Sequence, residues 1–412
     1  GGPDGVGEVW MPGRLKQVPA AVGEPAKPYL KPHDLFRYLT QPADLLSEAR
    51  TPEIDTYSIS RGLILQTRSG RNLGPGLLVD SYLAAFLVSD DLIRIKIDDL
   101  RMRFYTAAYL QTPTGPGMLR RDKSGSVIDH LSVPHLKAQQ IPLIPDDLLS
   151  RSAHLMERSF TLVEEARVYL SSELTRYESS LPSPRRTAAP SQGWSISSAD
   201  LGWRLDAAPY DPWVAEIRRQ LLAAGGVRVR EVAEVRKPPG RYKTRYVESS
   251  FGVPFLSGTQ ILQLKTINQR YMARSAWKDP SPYELRGGWS VYQADGRAEE
   301  SLGFLAMVPE DRDGWAASGH VGRLIPRSNT DPGWLWLAAS TWQAQAQLKA
   351  RASGSVVDST YPPDMEQIIL PPPMSTSGPE VSTAWNKFSE ARHLEEEAKR
   401  VIEDALASLD GP

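Results

Sequence analysis

The sequence predicts an α+β chain in which two pseudo-symmetric β-rich domains are separated by two long amphipathic helices. Three observations carry this. The tetrapeptide Ser124-Gly125-Ser126-Val127 returns as Ser353-Gly354-Ser355-Val356, an offset of 229. Each copy of the surrounding text is followed by a long stretch of helical periodicity, over 146–178 and 377–408. Between the copies, 181–200 holds Pro182, Pro184 and Pro190 among Ser and Ala, the composition of an exposed linker.

The offset extends well beyond the tetrapeptide. At 229 it aligns Leu73-Gly74 with Leu302-Gly303, Ser89 with Ser318, Arg94 with Arg323, Thr112 with Thr341 and Asp129 with Asp358, and it needs no gap from Leu73 to Pro142. Those 70 positions hold 14 identities. Unrelated sequences of ordinary composition match at roughly one position in fifteen, so the excess is about threefold. Upstream the offset is 226, pairing Pro28-Tyr29-Leu30 with Pro254-Phe255-Leu256, Gly62 with Gly288 and Arg71 with Arg297. Three extra residues near Ala298 to Glu300 account for the change of register, as a surface turn tolerates.

A chain of 412 residues is too long for one core. With 41% hydrophobic and 24% charged residues it is an ordinary globular sequence. No run of 18 apolar residues and no signal-peptide pattern occurs, so no membrane span is expected. The absence of cysteine excludes disulfides, cysteine nucleophiles and Cys-ligated zinc, and suits a cytoplasmic setting. The chain begins Gly1-Gly2-Pro3 without Met, so its natural start is expected to have been removed or replaced. The net charge of −1 hides a contrast: 227–297 carries 13 Lys and Arg against 6 acidic residues, whereas 380–410 carries 4 against 8. A locally basic domain can hold phosphates even in a neutral molecule.

In chain order, Gly62 to Gln66 and Gly76 to Val79 read as two strands joined by a turn. Leu92 to Ile97 alternates as a half-buried strand. Tyr105 to Leu119 predicts a helix broken at Pro113 and Pro116, and its counterpart Pro332 to Ala352 predicts one uninterrupted helix. From Asp146 onward no Pro or Gly interrupts a helix to about Glu178. In the second long helix Trp385, Phe388, Ala391, Leu394, Ala398, Val401 and Ala405 form a heptad seam. Its counterpart runs through Leu155, Leu162, Ala166, Tyr169 and Glu173, anchored by Glu164-Glu165-Ala166-Arg167 against Glu396-Glu397-Ala398-Lys399. Recurrence after both copies favours packing of the helices on each other. A shorter helix is expected from Pro212 to Ala224, stopped by Gly225-Gly226. The layout is therefore 1–145 and 227–374 for the β-rich domains, 146–180 and 375–412 for the long helices, and 181–226 for linker and short helix.

Motifs of catalysis are missing from the sequence: neither a Gly-x-Gly-x-x-Gly nor a Gly-x-x-x-x-Gly-Lys-Ser/Thr loop occurs. The six histidines show no metal-ligand spacing. Asp129 and Asp358 recur one per copy, which suits turn capping better than paired acid–base work.

The combination of a Pro-aromatic-Leu entry, a Gly-apolar strand before Ser/Asp-Gly-Arg, a Ser-Gly-Ser-Val turn and a Leu/Ile-Pro exit into a long helix, twice over nearly the whole chain, resembles the specificity (S) subunit of type I restriction-modification systems. The resemblance implies two target recognition domains, each reading half of a split site in double-stranded DNA, with the helices antiparallel as coiled-coil-like spacers. It implies no catalysis in this chain. Adenine methylation would belong to two methyltransferase (M) subunits carrying S-adenosylmethionine, so no cofactor is expected here, and restricting systems add restriction (R) subunits. The helix before the second domain has no equivalent before the first, a departure from the pattern. Candidate DNA contacts are Arg71 and Arg297 beside their turn glycines, with Arg68; then Arg241, Lys243 and Arg245, interleaved with Tyr242 and Tyr246; then Arg120, Arg121 and Lys123, matched by Lys349 and Arg351. The rival reading is a tandem β-rich module that binds protein or carbohydrate and dimerises through its helices.

Overall fold

A computed structural model describes the chain except for residues 1–4, 15, 41, 43, 69–75, 122–130, 186–192, 199–200, 203, 241, 299, 355–356, 374–377 and 410–412. It divides into two compact units. Unit 1 comprises 1–168, 264–268 and 387–412, and unit 2 comprises 169–263 and 269–386. Helix and sheet are mixed in both, with small sheets and two long helices, Asp146–Ser179 and Gly378–Leu409.

In unit 1 a four-stranded sheet orders Glu8–Trp10, Leu92–Lys96, Ile64–Thr67 and Leu77–Leu78. Beside it, Asp44–Ser47, Ala26–Leu30 and Leu87–Val88 form a three-stranded sheet whose last pairing is parallel. One apolar core joins Ile64, Ile93, Ile95, Phe104, Tyr105 and Tyr109 to Met156 and Phe160 of the first long helix and to Ala398, Ile402 and Ala405 of the second. Within this unit the helices run antiparallel: the buried Ser152 hydroxyl donates to the Ala398 carbonyl at 3.0 Å, and Ser159 donates to Ala391 at 2.7 Å. Small side chains at these steps let the two backbones approach closely enough for side chain to backbone bonds.

Unit 2 repeats the design. Ala233–Arg236, Val321–Pro326, Ser290–Gln293 and Leu305–Met307 form its four-stranded sheet, in the same order as in unit 1. The pairing of Ile64 with Ile95 and Leu65 with Arg94 becomes Ser290 with Leu324 and Val291 with Arg323. The parallel pair Tyr29–Leu87 becomes Phe255–Ala316. Single hydrogen bonds recur as well. Gly62 donates to the Val79 carbonyl at 2.8 Å and Gly288 to Val308 at 2.9 Å, both glycines at positive φ (88° and 81°), a conformation that other residues reach only under strain. The Thr112 hydroxyl donates to Tyr109 O and Thr341 to Ala338 O, each at 2.8 Å.

The structure corrects three expectations. The uninterrupted helix expected over 332–352 is two helices, Pro332–Ser340 and Trp342–Ala350, because Thr341 turns extended and caps the second through Ala344 N. The first copy breaks correspondingly into Leu100–Tyr109 and Thr114–Arg121. The gapless register from Leu73 to Pro142 also fails locally. The helix N-caps are Asp99, accepting from Met102 N, and Asp331, accepting from Trp334 N, an offset of 232 that returns to 229 at the two threonines. Finally, the seam is turned from its expected phase. Ala166, Phe388, Ala398 and Ala405 are buried, but Leu155, Leu162, Tyr169, Leu394 and Val401 are only half-buried, and Glu395 and Ile402 take the inward positions.

Glu395 can face inward because Lys265, delivered by the 264–268 segment, meets it at 2.6 Å. Burial lowers the Lys265 pKa, and the carboxylate opposes that shift. Leu264 N donates to the Phe36 carbonyl at 2.7 Å, fixing the segment in unit 1.

On the solvent side of the first long helix, Glu164 accepts from Arg61 Nε and Nη2, both at 2.7 Å, and from Ser81 N at 2.8 Å. The Arg61 hydrogen bonds chiefly hold its carboxyl down to about 2. Because the folded-state pKa lies below the ordinary 4.5, the stabilisation is present above that pH and is lost as the pH falls toward 2. Glu164→Gln is expected to lower the urea midpoint at pH 7 and to differ much less from wild type at pH 3. An equal difference at both values would place the acid sensitivity elsewhere.

Candidate nucleic-acid interface

The basic residues of the repeat sort into those built into the framework and those left outside it. Arg94 and Arg323, aligned in the sequence, are 3% and 0% exposed. Arg94 Nη1 donates to the Thr56 carbonyl at 2.7 Å, and Arg323 Nη2 donates to Tyr283 O at 3.0 Å and Ala317 O at 3.1 Å. Burial lowers both pKa values, that of Arg323 to about 10. These arginines tie loops to the sheet and do not reach a ligand.

Of the candidate contacts, Arg71, Lys123 and Arg241 lie outside the described residues, as do Ser124 to Val127 and Asp129. Arg120 and Arg121 fall in the Thr114–Arg121 helix, but their side chains are not among those described. Arg68 is half-buried, 4.0 Å from Asp91. Lys349 is half-buried with its ammonium 5.4 Å from the Phe304 ring centre. Arg351 is a correction: its side chain is only 13% exposed and faces the fully buried Asp364 at 3.7 Å, so it neutralises the interior of unit 2. Burial raises the Asp364 pKa, and Arg204 and Arg351 oppose the rise.

Arg297 remains outside, its side chain 71% exposed and 3.6 Å from Glu300. The turn bearing it is pinned by Asp358, whose Oδ2 accepts from Ala298 N at 3.0 Å. Below it, Asp295 pairs with Lys237 at 2.8 Å and with His320 Nδ1 at 2.7 Å. Burial acts to raise its pKa, but the hydrogen bonds from Lys237, Ser359 and His320 together lower it.

Among the described residues, a concentration of exposed cations lies at the second sheet of unit 2, where Tyr246–Val247, Arg270–Met272, Val253–Leu256 and Ala316–Ala317 lie side by side. Lys243 and Arg245 are exposed. The two interleaved tyrosines part company. Tyr242 turns inward, 4.9 Å from Tyr283 and 5.9 Å from Phe255 between ring centres, and burial pushes its hydroxyl up to about 12. Tyr246 stays outside, 47% exposed, with the Arg270 guanidinium 5.0 Å from its ring centre. Arg270, in the neighbouring strand, and Arg274, in the 3-10 turn that follows it, are both exposed and complete the group; they were missed in sequence because they lie far from the 241–246 run. The local excess of positive charge over 227–297 was the signal that could have found them.

The equivalent sheet of unit 1 is not basic. Residues 242–278 carry six Lys and Arg against one acidic residue, whereas 16–52 carry five against four. Asp44 stands where Arg270 does, opposite Tyr29 as Arg270 is opposite Phe255. Glu24 is held by Arg50 at 2.6 Å.

No protein-family model matches this chain, and no curated protein matches it. Solved structures do. A type I restriction-modification system S subunit from M. genitalium is 12% identical, with 97% of this chain and 90% of that chain covered at a TM-score of 0.30. The HsdS subunit from Thermoanaerobacter tengcongensis is 14% identical, with 98% and 97% covered at 0.29. Both are S subunits. A third structure, described by complex assembly and conformational transition of the type I R-M system, is 14% identical over 98% of each chain at 0.30.

Proposed function

We propose that this chain is the DNA-binding specificity subunit of a type I restriction-modification system, directing adenine methyltransferase subunits, and restriction subunits where present, to a bipartite site in double-stranded DNA. The observation that carries the reading is the contrast between framework and surface. Strand order, register and individual hydrogen bonds repeat between the copies, while the outer faces of equivalent sheets differ in charge and side chain. A scaffold repeated with divergent faces suits a target made of two unlike halves, each read by its own copy. The repeated framework also offers similar docking surfaces to two copies of a partner. In this reading the chain performs no chemistry, and S-adenosylmethionine is bound by the methyltransferase partner. Retention of the full chain on immobilised duplex DNA, with competition by free duplexes of differing sequence, tests it. Saturable, sequence-dependent retention is expected. No retention at moderate salt would favour a protein- or carbohydrate-binding module.

A further inference from the structure

The loop between Tyr246–Val247 and Val253–Leu256 in unit 2 carries Phe251 at its tip, 77% exposed. A large aromatic ring left in water next to a cluster of cations is an arrangement that packing within the chain does not explain. The tip is also held in place. Ser249–Phe251 forms a 3-10 turn in which Phe251 N donates to the Glu248 carbonyl at 3.0 Å. At Gly252 a Cβ would stand 2.7 Å from Val247 Cγ2 and 2.9 Å from Tyr271 Cβ, so only glycine lets the returning strand lie this close. Behind the tip an open groove of about 700 Å³ is lined by Arg245, Tyr246, Val247, Glu248, Phe251 and Ala273, with Ser275. Lys243, Arg245, Arg270 and Arg274 are all exposed on or beside this sheet, with Glu248 in the loop and Glu284, which Arg274 reaches at 3.4 Å, as the neighbouring carboxylates.

We propose that Phe251 is a wedge that enters the base stack of duplex DNA while Lys243, Arg245 and Arg270 hold the flanking phosphates. The proposal rests on the DNA-binding reading and deepens it. Apolar side chains that part base steps are effective when cations fix the backbone on either side, because the bend they create is repaid by added phosphate contact. A protein partner fits the surface less well, since the groove mixes Arg245 and Glu248 with Tyr246 and Phe251 and offers no continuous apolar face. The wedge belongs to unit 2 only. In unit 1 the matching loop, residues 20–25, has Pro25 where Phe251 stands at the offset of 226, and carries Val22, fully exposed, and Glu24.

The test uses the full chain and a 30-base-pair duplex enriched by it from a random-sequence pool. Phe251→Ala and Phe251→Leu are compared with wild type for affinity, for salt dependence and for permanganate reactivity of thymines in the bound duplex. Because the side chain is outside the core, both variants are expected to unfold at the wild-type temperature. Phe251→Ala is expected to bind roughly tenfold more weakly with an unchanged salt slope, and to lose a permanganate-reactive thymine that wild type exposes and Phe251→Leu partly restores. Wild-type affinity and wild-type reactivity in Phe251→Ala would overturn the wedge, as would the absence of any reactive thymine in the wild-type complex. Failure of wild type to enrich any duplex would overturn the DNA reading itself, and the two failures are thus distinct.

Discussion

Replacing Arg167 with Met is expected to cost unit 1 about 3–5 kcal/mol of stability. The guanidinium is 2% exposed and its partner Asp80 is 1% exposed, 2.8 Å away. Arg167 Nε also donates to the Tyr38 carbonyl at 3.0 Å, and Nη2 to Arg37 O at 2.6 Å, so one side chain ties the first long helix to a loop of the β-rich fold. Asp80 in turn accepts from Leu83 N at 2.8 Å. Met fills the volume but leaves the carboxylate buried with one hydrogen bond and several orphaned carbonyls, and an uncompensated charge in low dielectric is the larger penalty. Removing both charges in Arg167→Met/Asp80→Leu is therefore expected to be less damaging than the single change. Urea denaturation of the full chain, followed as a double-mutant cycle, checks this. A loss under about 1 kcal/mol for Arg167→Met would mean that water reaches the pair.

The second large effect is on DNA affinity. Changing Lys243, Arg245, Arg270 and Arg274 together to Gln is expected to reduce affinity on the order of a hundredfold to a thousandfold near 0.1 M salt. The slope of log K against log salt should become shallower by about 3.6, since each neutralised phosphate contributes about 0.9. Arg274 reaches Glu284 at 3.4 Å with 64% of its side chain exposed, and exposed pairs of this kind contribute little to folding. The melting temperature should therefore hold while binding collapses. An unchanged salt slope would remove this sheet from the interface.

Much of the architecture was legible because the repeat is written in residues with backbone duties. Gly62 and Gly288 repeat because a positive φ is needed, and Thr112 and Thr341 because their hydroxyls close a helix end. The N-terminal strand was equally readable and was missed. Glu8-Val9 and Pro12 match Glu234-Val235 and Pro238 at the offset of 226, and both strands pair with the same position of the sheet. Other features had no signal in one dimension. An apolar period cannot place Glu395 inside a helix seam, since its burial depends on Lys265, far away in the chain. Matching text also misled: Glu164-Glu165-Ala166-Arg167 and Glu396-Glu397-Ala398-Lys399 align, yet Arg167 is buried on Asp80 whereas Lys399 pairs with Glu396 on its own helix. For the candidate interface, the interleaving of Tyr with Lys and Arg pointed to a contact surface but not to Tyr242 turning inward, nor to Arg270 of the neighbouring strand and Arg274 of the turn after it joining the group.

The central claim is that each repeat copy reads its own half of a divided DNA site. Its most direct test is to enrich duplexes from a random-sequence pool with the full chain, and again after residues 1–144 have been exchanged for the corresponding residues of a type I S subunit. Two conserved blocks at a fixed separation are predicted, of which the exchange alters one and leaves the other unchanged. A single continuous block, or an exchange that alters both blocks or neither, would contradict the account.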